Sequence, residues 1–344
     1  MQGYEWLVFT MSTFPWPLIW LPSLFLERLL YAKQRRNDNV NTSLSVSHPS
    51  IPYLSPAKNH TERKDSHKKI TALLLCCLSL FLFTGCEGST TSTEPKTETV
   101  ENQELTLSMK DWDSTGLALT DIENTGTYTG EVVDGIPNGT GRFDTQNKEG
   151  TSWYYDGEFV NGVFQGQGTC VFDAEKELRE TGTYENGAFT PTLSELVATV
   201  PQFILNDFTL AETSATFISS HENLFPCETD EAIQEAISLT DDSIGYVQLA
   251  KNTAPYLETL FTQTSLTAMQ VSEENAYGHT YTTILANDRD FNYFIFYYIG
   301  SVEIYEGDTF NVRALPLAYS NFDNVSNGQT IVVAALGSII EKTA

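Results

Sequence analysis

The 344-residue sequence predicts a mainly β fold of the α+β class, in three parts: a short β-hairpin array, a small helical connector and a five-stranded barrel. Three observations predict it. Four glycines between Gly130 and Gly141 return 27 residues later, apolar residues fall at three- and four-residue spacings from Leu193 onward, and alternating β-formers fill residues 256–341.

Ahead of these parts lies a segment with the layout of an export signal. His67, Lys68 and Lys69 form a basic flank, Ile70 to Phe83 is an apolar run, and the small residues Thr84 and Gly85 precede Cys86. The 15 residues from Ile70 to Thr84 reach roughly 22 Å as a helix, short of a hydrocarbon core of ~30 Å. The ending Leu82-Phe83-Thr84-Gly85-Cys86 resembles the lipobox of bacterial lipoproteins, with Phe83 where Leu is usual. That resemblance implies cleavage after Gly85, diacylglycerol joined to the Cys86 thiol, and anchoring at the extracytoplasmic face of the cell membrane. An uncleaved signal anchor is the alternative.

Residues 68–85 are therefore expected to be a lipoprotein signal peptide. Residues 86–104 hold no large apolar side chain except Val100 and are expected to be a flexible, lipid-anchored tether. Methionine occurs only at positions 1, 11, 109 and 269. Residues 1–67 are accordingly expected to be translated upstream DNA, the true start being a non-Met codon read as Val46, Ile51 or Leu54. The other reading of this region is a membrane-inserted leader containing Trp6, Trp16 and Trp20, but Pro15, Pro17 and Pro22 argue against a simple span.

Beyond the proposed cut the chain carries 10 Lys and Arg against 40 Asp and Glu, a net charge of −30. Such a surface repels nucleic acid and anionic headgroups and favours solubility. Cys76 and Cys77 fall in the signal, which leaves Cys170 and Cys227 in the folded part, either paired or as two small buried hydrophobes.

The array comes first. "YTGEVVDGIPNGTGRF" from Tyr128 returns as "YDGEFVNGVFQGQGTCVF" from Tyr155, so that Gly130, Gly135, Gly139 and Gly141 recur as Gly157, Gly162, Gly166 and Gly168. A shorter copy, "GTYENGAF", runs from Gly182 to Phe189. The pattern resembles the MORN repeat, roughly YxGxWxxGxxxGxGxxxF, with Val132 and Phe159 where Trp is common. Each unit suits a β-hairpin whose glycines permit positive φ and close backbone approach. Stacking would bury Tyr128, Phe143, Tyr155, Phe159 and Phe172 as a ladder. These aromatics read either as that ladder or as a binding groove. Two copies and a fragment fall short of a stable array, so Leu105–Leu119, with Trp112, is expected to cap it on one side and the following helix on the other.

The connector, residues 191–252, carries four helical signals. Leu193, Leu196, Val197, Val200, Phe203 and Ile204 mark an apolar face that Pro201 should divide. Ser214–Pro226 reads as a second helix stopped by Pro226. Thr229 is a plausible N-cap for the third, with Asp230 and Glu231 favouring its positive end. Ile244–Lys251 is the fourth.

Residues 253–344 contain five strand-like runs, beginning at Leu266, His279, Tyr293, Phe310 and Thr330. Asp288-Arg289-Asp290 with Asn292 and Glu306-Gly307-Asp308 are turns between them. Five strands in a small domain suggest a closed barrel. Their order and the Glu306–Asp308 turn resemble OB-fold domains that follow helical segments in bacterial exported proteins. That resemblance implies a face for oligonucleotides or oligosaccharides. Nucleic acid is disfavoured, because between residues 245 and 344 the basic side chains are only Lys251, Arg289, Arg313 and Lys342. Tyr293, Tyr297 and Tyr298 are candidates to stack on sugars; core packing or cross-strand pairing is the plainer reading.

Catalytic signals are missing. There is no HExxH, P-loop or GxSxG, and His221 and His279, the histidines after the tether, stand without a nucleophile motif. "DRDFN" at Asp288–Asn292 begins like a calcium loop but has Tyr293 at the sixth position, where Gly is needed, so it reads as a turn. No catalytic residue, metal ligand or cofactor is expected. The leading function is a membrane-tethered lipoprotein that binds or scaffolds a surface protein or glycan. The rival is a surface hydrolase or carbohydrate-active protein with a dispersed acidic site, which spacing alone cannot locate.

Overall fold

The computed structural model describes residues 96–147, 150–173, 178–324 and 328–343, with no account of the Asp173 side chain. The signal segment, Gly85, Cys86 and the upstream extension lie outside these residues.

A seven-stranded antiparallel meander opens the fold, with β1 (Thr97–Trp112), β2 (Leu119–Val133), β3 (Ile136–Gln146), β4 (Ser152–Val160), β5 (Val163–Asp173), β6 (Leu178–Glu185) and β7 (Ala188–Phe189) in that order. The residues that make hairpins of this stretch are local. Asp134-Gly135, Asn161-Gly162 and Asn186-Gly187 each place two consecutive residues at positive φ, between 51° and 92°, which is the two-residue turn whose twist matches that of the flanking strands. Successive turns stack on one another: the Gly162 N–H donates to the Pro137 carbonyl at 2.8 Å and the Gly187 N–H to the Phe164 carbonyl at 2.9 Å.

The tether reading is corrected at its end, since β1 begins at Thr97, inside the stretch expected to be flexible. These residues are polar except Val100, but Thr97–Val100 pair with Gly130–Val133 of the long second strand. A partner ladder satisfies the backbone without requiring apolar side chains. The expected cap, Leu105–Leu119, is thus the second half of a longer strand, the loop that follows it and the first residue of β2.

The connector contains α1 (Leu193–Thr199), a 3-10 turn (Val200–Phe203), α2 (Glu212–Ser220), α3 (Asp230–Ser238) and α4 (Tyr246–Lys251). Pro201 divides the first apolar face as expected. Thr199 and Glu195 belong to the first helix, whose capping box joins the Thr192 N–H to Glu195 at 2.8 Å and the Glu195 N–H to the Thr192 hydroxyl at 3.4 Å. Thr229 caps α3 by accepting from the Ala232 N–H at 3.2 Å. The second helix ends at Ser220, six residues short of Pro226, because Leu224 and Phe225 turn inward to be buried.

Five strands close into a barrel: β8 (Phe261–Ala276), β9 (His279–Asn287), β10 (Tyr293–Ile299), β11 (Thr309–Asp323) and β12 (Gln329–Lys342). Their order is β10-β12-β11-β8-β9, with β10 and β12 parallel and the other pairs antiparallel. Phe261, Leu266, Phe294, Phe296, Phe310 and Val333 fill the interior, and Ile244 and Leu249 from α4 and the residues before it join that core. A second core runs from the array through α1 and α2 to outward residues of the barrel, among them Leu285, Ile295 and Leu336.

Candidate functional site

In the array, the repeat glycines make room for tyrosines. Tyr128 is wholly buried and donates its hydroxyl to the Glu131 carbonyl at 2.7 Å; Tyr155 does the same to Glu158 at 3.0 Å. A Cβ on Gly141 would lie less than 3 Å from the Tyr128 ring, and one on Gly168 less than 3 Å from the Tyr155 ring; Gly130 and Gly157 are similarly tight against their partner strand. Burial, with the Glu131 charge second, pushes the Tyr128 hydroxyl up to about 12, so it remains a neutral donor. Gly139 and Gly166 lie beside the carboxylates of Glu131 and Glu158, which accept from the N–H groups of Thr140 and Gln167 at 2.7 and 3.3 Å. Gly135 and Gly162 are the turn positions. All eight glycines therefore serve the scaffold, and the ladder reading holds for Tyr128, Phe143, Tyr155 and Phe159, which are at most 1 % exposed. Phe172 is only partly buried and packs on Phe203 at 5.9 Å.

The third unit departs from its predecessors. Two residues before Gly182, where the earlier units have tyrosine, stands Glu180. Its carboxylate accepts the hydroxyl of Tyr277 at 2.5 Å, from the turn between β8 and β9, and the Tyr277 ring meets Phe189 edge-on at 5.0 Å. Alongside, the Gly278 N–H donates to the Gly116 carbonyl at 2.8 Å, Trp112 lies against Gly278, and the Trp112 Nε1–H donates to the Phe189 carbonyl at 2.7 Å. Array and barrel are thus joined by hydrogen bonds and rings.

The tyrosines considered as candidates to stack on sugars lie elsewhere. On β10, Phe294 and Phe296 point into the barrel while Ile295 and Tyr297 point outward, but that outward face is covered. Leu196, Val197, Val200 and Pro201 lie across it, and with Tyr281, Tyr297 and Ile299 they line a shallow apolar cleft. Tyr297 is 2 % exposed, a correction of its reading as an accessible stacking residue. Tyr293 and Tyr298 are partly buried, the former packed against the same core. The physical reason is mutual: the apolar face of α1 needs a surface, and "YFIFYYI" is apolar on both faces. An unbroken apolar run is the mark of a strand covered on both sides, and it was visible in the sequence. By register, Ser272, Thr283 and Tyr297 form a row across β8, β9 and β10, and their buried hydroxyls have no hydrogen-bond partner among the described residues.

Ser220 Oγ and His221 Nδ1, adjacent in the chain, lie 3.0 Å apart, and each also faces a carbonyl of its own helix, Thr216 at 2.8 Å and Phe217 at 2.9 Å. His221 stacks on Phe217 at 4.3 Å. His279 is partly buried, which lowers its pKa. No disulfide joins Cys170 and Cys227, and burial raises the Cys227 thiol. Both Asp288 oxygens hold the turn, Oδ1 accepting from the N–H groups of Asp290 and Asn292 at 2.9 Å and Oδ2 from Asn292 Nδ2 at 2.8 Å. Among the described residues no group of three His, Cys, Asp or Glu side chains is placed to hold a metal, and no helix is long and apolar enough to cross a membrane.

Large exposed apolar side chains do occur at the end of the barrel reached by β9 as it runs away from the array. Tyr246 meets Phe294 at 5.5 Å and Tyr319 at 6.3 Å, both edge-on. Around them Val247, Phe291, Tyr319 and Ile331 are exposed by 76, 65, 40 and 50 %. No motif in the sequence marked these residues, because they come from four separated segments.

The MORN repeat family matches residues 128–148 and 155–173, the stretches that begin at Tyr128 and Tyr155. No curated protein and no solved structure shows a significant match to the chain.

Proposed function

We propose that the protein is a bacterial lipoprotein, cut after Gly85, anchored by a lipid on Cys86 at the extracytoplasmic face of the cell membrane, and built to bind a protein or glycan at the cell surface. In this reading the MORN repeats are a stiff scaffold and the barrel is the contact surface. The observation that carries it is the join: Tyr277 on Glu180 and Trp112 on Gly278 couple the barrel to the end of the array. A mobile partner domain would not need such a contact, whereas a presented one does. The barrel is proposed to be an OB fold. Supporting this, the strands taken in sequence close in the order first, second, third, fifth, fourth, and the third and fifth are parallel. The face that OB folds use most is covered here by α1, so contact is assigned to the barrel's end.

Mass spectrometry of the N-terminal peptide from membranes of the native organism tests the anchor. A diacylglyceryl-modified Cys86 is the expected species. A mature chain that begins upstream of Lys68 and carries no lipid would refute it.

A further inference from the structure

We propose that the apolar end of the barrel, formed by Tyr246, Val247, Phe291, Tyr319 and Ile331, is a docking surface for a peptide segment of a protein partner that presents basic and apolar side chains together. The proposal deepens the binding-module reading and rests on it. Phe291 carries the argument furthest. It lies in the turn between β9 and β10 at φ 61°, a left-handed conformation that costs a bulky residue on the order of 1–3 kcal/mol. Its ring is 65 % exposed and contributes little to the core. Asn or Gly would relieve the backbone, yet the chain keeps an aromatic ring there.

The surface is ordered before any partner arrives. The Phe291 N–H donates to the Asp288 carbonyl at 3.1 Å, and the Asp288 carboxylate pins the turn on either side of it. Tyr319 pairs with Val333, which makes Ile331 its diagonal neighbour on the same face. Tyr246 is wedged between Phe294 and Tyr319. Side chains already fixed lose little entropy on binding.

Charge selects the partner. The segments that form this end carry Asp241, Asp242, Asp288, Asp290 and Asp323 against Arg289 and Lys251. Apolar side chains accompanied by acidic residues in the same segments complement apolar groups flanked by Lys or Arg, and exposed tyrosine and phenylalanine rings also attract such cations. The same charge opposes anionic lipid and nucleic acid.

The test uses the full chain and a fluorescent, 14-residue amphipathic Lys/Leu peptide, followed by anisotropy at near-physiological salt. Binding is expected, with a loss of about tenfold or more in Phe291→Gly and in Val247→Ser, a smaller loss in Asp242→Asn and Asp290→Asn, and none for a Glu/Leu peptide of the same length. Phe291→Gly removes the backbone strain, so its melting temperature should hold and a lost interaction will not reflect unfolding. Equal affinity of all variants overturns the proposal. So does binding of phosphatidylglycerol vesicles or chito-oligosaccharides that is abolished by the same substitutions, which would assign the surface to a membrane or a glycan. Peptide binding that survives these changes and falls with Tyr154→Ser would move the site to the array, overturning this surface while leaving the binding-module reading standing.

Discussion

A tyrosine hydroxyl in the array can stay buried because its neighbours have no Cβ. Tyr128 needs the space over Gly141, and the carbonyl of Glu131 satisfies its only donor. Glycines that look alike in sequence therefore differ in what they protect. At Gly141 the backbone is ordinary and the obstacle is the ring; at Gly135 nothing lies within 4 Å and the obstacle is φ, at 80°. Gly141→Ala is expected to cost about 2–4 kcal/mol through overpacking, and Gly135→Ala about 1 kcal/mol through backbone strain. Urea denaturation of the two variants measures both, and equal losses would disprove the division. Arg142 illustrates the exposed face of the same sheet: Asp144 holds its guanidinium at 2.8–3.1 Å while it lies 3.7 Å from the Tyr154 ring. Half-exposed as it is, this pair contributes little to stability.

Each hairpin is marginal alone, and stability comes from what is stacked on it. At the far end of the array that role falls to an element of another part of the fold, the β8–β9 turn. Tyr277 occupies it at φ 55°, where Asn or Gly is the usual choice, and it is 2 % exposed. The strain is offset by the ring on Phe189 and the hydroxyl on Glu180. Tyr277→Phe should lose only the charged hydrogen bond, about 1.5–3 kcal/mol. Tyr277→Ala should also lose the ring contact and let the last repeat exchange its amide hydrogens faster than the barrel does. Hydrogen exchange in the Ala variant that stays uniform across array and barrel would show that the joint lies elsewhere. Element types here were legible from periodicity: three hairpins, the Thr229-capped helix and five strands. Their ends were less so, as with β1 reaching back to Thr97 and α2 stopping at Ser220, because a partner strand or a buried Leu224 decides where pairing or winding stops.

The molecule as a whole is strongly acidic after Cys86, with a net charge of −30. Ion pairs such as Lys110–Asp121 at 2.8 Å and Lys342–Asp308 at 2.7 Å are too exposed to offset this repulsion. Raising NaCl from about 20 to about 500 mM, which shortens the screening length severalfold, should therefore raise the melting temperature. A fall would mean that specific surface pairs outweigh general repulsion. The sequence by itself determined the repeat and its turns, because a glycine two residues from a tyrosine acts through adjacent strands and its spacing is written in the chain. It also determined the five strands and the acidity. Only the tertiary structure decided which barrel face is open. Tyr297 is closed off by Val197 and Val200, about a hundred residues earlier in the chain, while Phe291, Tyr319 and Val247 are brought to one exposed end. Burial depends on which apolar surfaces meet, and that pairing is set by the packing of distant segments, which no local pattern records.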